Sequence, residues 1–121
     1  MRNINCLMLC GRLTKDPELK ATSGGTPVLE FSLAYNTSRK SQNGWEDEAN
    51  YIDCTVYGNQ AEALSKILRK GMKVSAMGSL RHQKWQSQDG TNRSKHVYQI
   101  DQLELPDRQR DQEDADESIP F

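Results

Sequence analysis

The chain has 121 residues, 35% of them apolar and 27% charged, a length that holds one core, with no apolar run near the ~20 residues that span a bilayer. No charged-then-apolar leader is legible, so a soluble, cytoplasmic protein without a membrane partner is expected. The net charge of −1 conceals a division: up to Leu105 fourteen Lys/Arg outnumber eleven Asp/Glu, whereas from Pro106 onward six acids face two Arg, so a mildly basic body carries an acidic tail.

Ile4 to Leu13, INCLMLCGRL, is apolar at both parities, as a strand covered on both sides would be. One side lines a barrel; the other needs a neighbouring element or another subunit. Cys6 and Cys10 would lie about 13 Å apart along it at ~3.3 Å per residue, too far to bridge or to share a metal. With Cys54 they make three cysteines without a CxxC, so buried, reduced thiols are expected in the strands. Asp16-Pro17 and Ser23-Gly24-Gly25 punctuate a connection, after which Val28 to Tyr35 is a strand with Leu29, Phe31, Leu33 and Tyr35 on one face. Asn36 to Asn50, with Arg39, Lys40, Gly44 and Trp45, reads as a polar loop long enough to reach away from the body.

Tyr51 to Tyr57 alternates clearly, with Ile52, Cys54 and Val56 on one face and Tyr51, Asp53, Thr55 and Tyr57 on the other. Gly58 ends it, and Asn59 with Glu62 predicts the N-cap and N3 acid of a short helix. Ala61, Leu64, Ile67 and Leu68 recur at helical spacing, Gly71 supplies the stop, and the helix plugs an end of the barrel. From Gly71 to Trp85 the pattern alternates again. Met72, Val74, Ala76, Gly78 and Leu80 face the core, whereas Lys73, Ser75, Met77, Ser79, Arg81, Gln83 and Trp85 face outward. Cations and an indole on one face, followed by a polar loop Gln86–Ser94 that carries Arg93, suit a surface where a base stacks beside a held phosphate. The same pattern suits a solvated strand with one Trp over a barrel end. Asp89-Gly90 is a turn signal, and Lys95 to Leu105 mixes parities, which predicts a bulge or phase switch around Gln99–Asp101.

Three strands, a helix and two strands is the order of an OB-fold, an all-β, five-stranded Greek-key barrel with one short helix between strands three and four. Such barrels bind oligomers across strands two and three and the loops of the first and last hairpins, where Tyr51, Tyr57 and Trp85 fall. An enzyme needs a site, and none assembles. Glu46-Asp47-Glu48 could hold Mg²⁺ but reads as a solvated loop tip, and His82 and His96 stand isolated, so no catalytic residue, metal or cofactor is expected. An OB-fold used purely for protein assembly stays open and predicts weak DNA binding.

Several stretches resemble the bacterial single-stranded-DNA-binding proteins. NCLMLCGRLTKDPELK, LEFSLAYN, YIDCTVYGNQAE, LRKGMKVSAMGSL and RHQKWQSQDG follow in that family's order over nearly all of residues 1–105, and DADESIPF resembles its acidic tip. The resemblance implies largely sequence-independent binding of single strands in replication, recombination and repair, by homotetramers with one OB-fold per subunit. By motif, Trp85 matches a base-stacking aromatic, Tyr51 stands where Trp is frequent and Tyr57 where Phe is. Arg2, Lys70, Arg81, Lys84 and Arg93 match backbone-tracking cations, and Arg39 and Lys73 complete the candidate set. The chain departs from the pattern at Arg39, where another aromatic is common, at Asn59 for Lys, and at Asp53 for Arg. The division expected is a binding domain over 1–105 and a short linker with acidic tip over 106–121. In the tip, Asp114, Asp116, Glu117, Ile119, Pro120 and Phe121 are the candidate partner-binding residues, for helicases, exonucleases, primase and clamp-loader components. Composition alone makes this tail too acidic to fold.

Overall fold

Leu29, Phe31 and Leu33 on one strand lie opposite Val56, Cys54 and Ile52 on the next, and their inward faces begin the core. The computed structural model describes residues 2–105. These form β1 (Leu7–Leu13), β2 (Glu18–Ala21), β3 (Pro27–Ser41), β4 (Gly44–Tyr57), α1 (Asn59–Ser65), β5 (Lys73–Gln86) and β6 (Asn92–Glu104). The sheet runs β1-β5-β6-β4-β3-β2, and a further pairing of β1 with β3, Leu13 opposite Leu33, closes it. The five long strands thus make the barrel of an OB-fold, and β2 extends one edge by pairing with β3 alone. Closure leaves those five strands without a free edge along the barrel wall.

The core gathers Leu13, Leu33, Phe31, Val56, Val74, Tyr98 and Ile100, with Ala61, Leu64 and Leu68 closing one end from the helical side. That is the plug the apolar spacing predicts, although Ile67 turns outward. Asn59 is not the helix cap. Gly58 takes that place at φ 81, its carbonyl accepts from the N–H groups of Ala61 and Glu62, and no side chain caps the end. The sharp exit from β4 needs a positive φ, which glycine adopts without strain, so the helix starts one residue earlier than the Asn59/Glu62 pattern indicates.

Four other expectations are corrected. Asn36–Asn50 is not a loop: β3 and β4 continue through it as a hairpin closed by Gln42-Asn43, with Ser41 opposite Gly44. The last polar loop is likewise shorter than Gln86–Ser94, since β6 begins at Asn92 and includes Arg93. β1 begins at Leu7, not Ile4. Ahead of it the Asn5 carboxamide copies a strand pairing, donating to the Leu80 carbonyl and accepting from the Leu80 N–H, both at 2.9 Å. The cysteines are not uniformly buried. Cys54 is enclosed, and burial pushes its thiol up to about 12. Cys6 and Cys10 are exposed, Cys10 beside the Ser75 hydroxyl at 3.2 Å.

The phase switch in the last strand is present. Met77 pairs with Gln102 and Gly78 with Ile100, so Asp101 is the extra residue of a bulge. The extra residue switches the parity of β6, so that Tyr98 and Ile100 before it and Leu103 and Leu105 after it pack on the same core. The Tyr98 hydroxyl donates to the Leu7 carbonyl at 2.7 Å, tying β6 to the start of β1, and burial pushes the phenol up to about 12.

Candidate nucleic-acid interface

Residues directly opposite in an antiparallel pair point to the same side, so the outward face of β4 can be read from its register with β3. Tyr51 stands opposite Ala34, Asp53 opposite Ser32, Thr55 opposite Glu30 and Tyr57 opposite Val28. Small or polar neighbours leave the rings open: Tyr51 is 66% and Tyr57 41% exposed. Between them along β4 lies a groove of roughly 500 Å³ whose floor includes Ser32, Asp53 and Thr55. The segment after β1 walls it with Thr14, Lys15, Glu18 and Lys20, and the β5–β6 hairpin walls it with Gln83, Lys95 and Val97.

That hairpin projects beyond the barrel and brings the third ring. Trp85, 44% exposed, is directly opposite Arg93; Gln83 is opposite Lys95 and Arg81 opposite Val97, all on the face turned to the groove. Lys84, on the reverse face, shares two shallow hollows with Trp85, one with Arg93 and Ser94 and one with Lys95. The turn is built by Asp89, whose carboxylate accepts from the Ser87 hydroxyl and from the Thr91 N–H. These bonds, the Ser87 hydroxyl first, lower its pKa to about 2. A depressed carboxyl stabilises the fold above its unfolded value and loses that contribution as pH falls through the folded one, so this support persists to strongly acid pH.

The groove is nearly neutral in spite of its lysines. Lys95 is held by Asp53 at 2.9 Å, and Lys20 by Glu30 at 2.8 Å and Glu18 at 3.6 Å. The hydrogen bond to Glu30, then its charge, raises the Lys20 pKa. Lys15 is in no ion pair among the described residues. Asp53, an unexpected acid in this position, thus ties down a groove cation that the sequence reading missed.

The structure sets Tyr51 and Tyr57 at either end of one groove and Arg81, Trp85 and Arg93 on the hairpin face turned to it, with Lys84 beside Trp85 on the reverse face. It does not bring the other candidates there. Lys73 is twelve residues from Trp85 on β5, about 40 Å at ~3.3 Å per residue. It sits opposite Arg12, near Lys70, whose N–H donates to the Asp16 carboxylate at 2.8 Å. Arg2 is exposed ahead of β1, and Arg39, opposite Glu46, lies on the reverse face of the β3–β4 hairpin from Tyr51. The acidic run is divided by the strand: Glu46 accepts from Ser41 at 3.0 Å on one face, and Asp47 from Ser38 at 3.4 Å on the other. Asp114, Asp116, Glu117, Ile119, Pro120 and Phe121 lie outside the described residues. Open rings beside cations can stack planar groups and hold anions, a combination matched to unpaired nucleotides.

Comparison with known proteins agrees with this geometry. The single-strand binding protein family model matches residues 4–106. The single-stranded DNA-binding protein of Borreliella burgdorferi is 42% identical over 106 residues, covering 87% of this chain and 71% of the relative. That of Treponema pallidum is 44% identical over 95 residues, and the chain spans 53% of its length. Among solved structures, a Plasmodium falciparum SSB complex with ssDNA superposes with a TM-score of 0.79 at 28% identity, over 88% of this chain and 98% of that one. A deletion variant of the single-stranded DNA binding protein from Thermus aquaticus, at 24% identity and a TM-score of 0.76, shares the fold over 87% of this chain and 51% of its own. With the family match covering most of its length and the relatives above 40% identity, the chain belongs to the single-strand binding protein family.

Proposed function

We propose that the protein binds single-stranded DNA with little sequence preference, acting as a binding protein and not as a catalyst. The observation that carries this is the placement of Tyr51, Tyr57 and Trp85, three exposed rings, around one groove on the face where OB-folds take oligomers. Every base has a π face, so stacking adds affinity whatever the sequence, and Arg81, Lys84 and Arg93 add phosphate contacts that weaken as salt rises. Residues 1–105 form the binding domain in this reading. Residues 106–121 are a linker and an acidic tip through which Ile119, Pro120 and Phe121 engage replication and repair proteins, a role supported by composition and family alone.

A homotetramer fits the uncovered outer face of β1 and β5. Met8, 72% exposed, stands opposite Met77, and Cys10 opposite Ser75, a mixed apolar surface that another subunit would cover. Tyr and Trp emission titrated with oligo-dT and with duplex of equal length tests the main reading. Strong quenching by oligo-dT alone is expected; equal weak responses to both would reject it.

The ion pair over the groove gives a second expectation. Asp53→Asn frees Lys95 for a phosphate, so affinity rises at low salt, and the slope of log K against log salt steepens by about 0.7, the increment for one contact on a single strand. The exposed pair itself is worth ~0–1 kcal/mol, so folding is little affected. Titration at four or five salt concentrations measures the slope, and an unchanged slope shows that Lys95 does not reach the strand.

A further inference from the structure

The outward face of β4 carries aromatic rings at a fixed interval: Tyr57, Tyr51 and Trp45, six residues apart each time and all of one parity. At ~3.3 Å per residue the steps are about 20 Å. The first two flank the groove. The third stands out on the β3–β4 hairpin and is the most open of the three, 73% exposed. Its register partner is Lys40, which therefore points to the same side. The next position inward on that face pairs Asp47 with Ser38, and their side chains bond each other. Trp45 thus has no apolar neighbour in register to pack on. Burying an indole is strongly favourable, and a hairpin tip offers it nothing to be buried by, so its use lies in a contact made from outside.

We propose that Trp45 with Lys40 is a further stacking platform for single-stranded nucleic acid, extending the track from the groove out along the β3–β4 hairpin. This rests on the single-strand-binding reading above and adds a contact to it. Two observations select nucleic acid over a second copy of the chain. The site is continuous with the Tyr51–Tyr57 face, and it is one ring beside one cation, with a polar Asp47/Ser38 pair next to it, where a protein interface would need a contiguous apolar patch. A ring beside an ammonium is what a base and its phosphate require. Arg39, on the opposite face of the same hairpin, cannot serve this track. The hairpin tip lies away from the groove, so its contribution depends on length: a strand that fills only the groove does not gain from it, and a longer one does.

The sequence has only two tryptophans, Trp45 and Trp85, so each can be made the sole indole of the full-length protein. The Trp85→Phe protein reports on Trp45, and the Trp45→Phe protein on Trp85. Titration uses oligo-dT of about 6 and about 16 nucleotides, spanning the site sizes of a single OB-fold. The expected result is that the longer strand quenches Trp45 and the shorter one does so little, while both quench Trp85. Trp45→Ala should then weaken the longer strand about five- to a hundredfold, the factor for one lost stacking platform, and narrow the affinity gap between the two lengths. The proposal is overturned if Trp45 emission stays unchanged at saturating 16-mer while Trp85 is quenched. It is overturned equally if Trp45→Ala keeps the affinity but alters the mass by light scattering, which assigns the tip to a contact between copies. Silence of both indoles rejects the single-strand-binding reading along with it.

Discussion

Replacing Tyr51, Tyr57 and Trp85 together with alanine is expected to weaken binding of oligo-dT by at least about a hundredfold while leaving the barrel folded. Each stacked base is worth ~1–3 kcal/mol, so three platforms at the lower bound give about 3 kcal/mol, or about two orders of magnitude. The rings share one track, so their losses need not add, and the lower bound is the figure to test. The fold survives because none of the three is in the core cluster, and surface truncations ordinarily move stability by less than ~0.5 kcal/mol. What remains is electrostatic. The residual affinity of the triple variant, held by Arg81, Lys84 and Arg93, should keep the parental slope of log K against log salt, because no phosphate contact has been removed. Fluorescence anisotropy of a labelled oligo-dT at several salt concentrations reads both quantities, and circular dichroism checks the fold. Unchanged affinity in a folded variant would remove stacking from the account and leave a protein that binds by charge alone.

The parts of the fold that could be read in advance are those with one wet and one dry face. On β4 the sequence Tyr51 to Tyr57 alternates because Ile52, Cys54 and Val56 enter the core, and the same holds for Val74, Ala76 and Gly78 on β5. Beyond the barrel that signal fails for a physical reason. From Asn36 to Ala49 both faces of the hairpin meet solvent, so no burial imposes a period of two, and a polar strand pair looks like a loop. The one mark it left was Asn43-Gly44, a hairpin dipeptide with Gly44 at φ 109. Trp45 and Lys40 can be named within that polar stretch, but without a period nothing in it shows that they share a face. The pairing of Lys95 with Asp53 was invisible for another reason: the partners are 42 residues apart and meet because β6 runs parallel beside β4 at Cys54 and Tyr98. Apolar residues at both parities of β1 predict a buried Cys10, yet in the single chain the outer face of that strand is bare.

Gly78→Ala is expected to be the most damaging single methyl that can be added to this barrel. A Cβ built there falls 2.0 Å from the Gln99 carbonyl oxygen and 2.9 Å from both the Gln99 carbonyl carbon and the Ile100 Cα. All three are backbone atoms, so relief cannot come from a side chain swinging away. It requires β5 and β6 to part, at the point where the Asp101 bulge sets their register. Overpacking of a rigid core costs ~1–3 kcal/mol, and the backbone identity of the obstacles puts this site at or above the upper figure. At ~4–8 °C per kcal/mol for a body of this size, the thermal midpoint should fall by at least about 12–24 °C. Gly24→Ala is the matched control, since its Cβ would meet only the Thr22 hydroxyl oxygen at 3.9 Å and should shift the midpoint by no more than a few degrees. Both variants are to be melted at one protein concentration, because association would make the midpoint depend on it. The damage also reaches the groove. The pairing that Gly78 permits is continuous with the one that sets Trp85 against Arg93, seven residues further along, so a surviving fraction of Gly78→Ala should show Trp85 more exposed and bind oligo-dT more weakly at temperatures where it is still largely folded. An unaltered midpoint would show that β5 and β6 do not approach so closely, and with that the placement of the Trp85 arm over the groove would have to be redrawn.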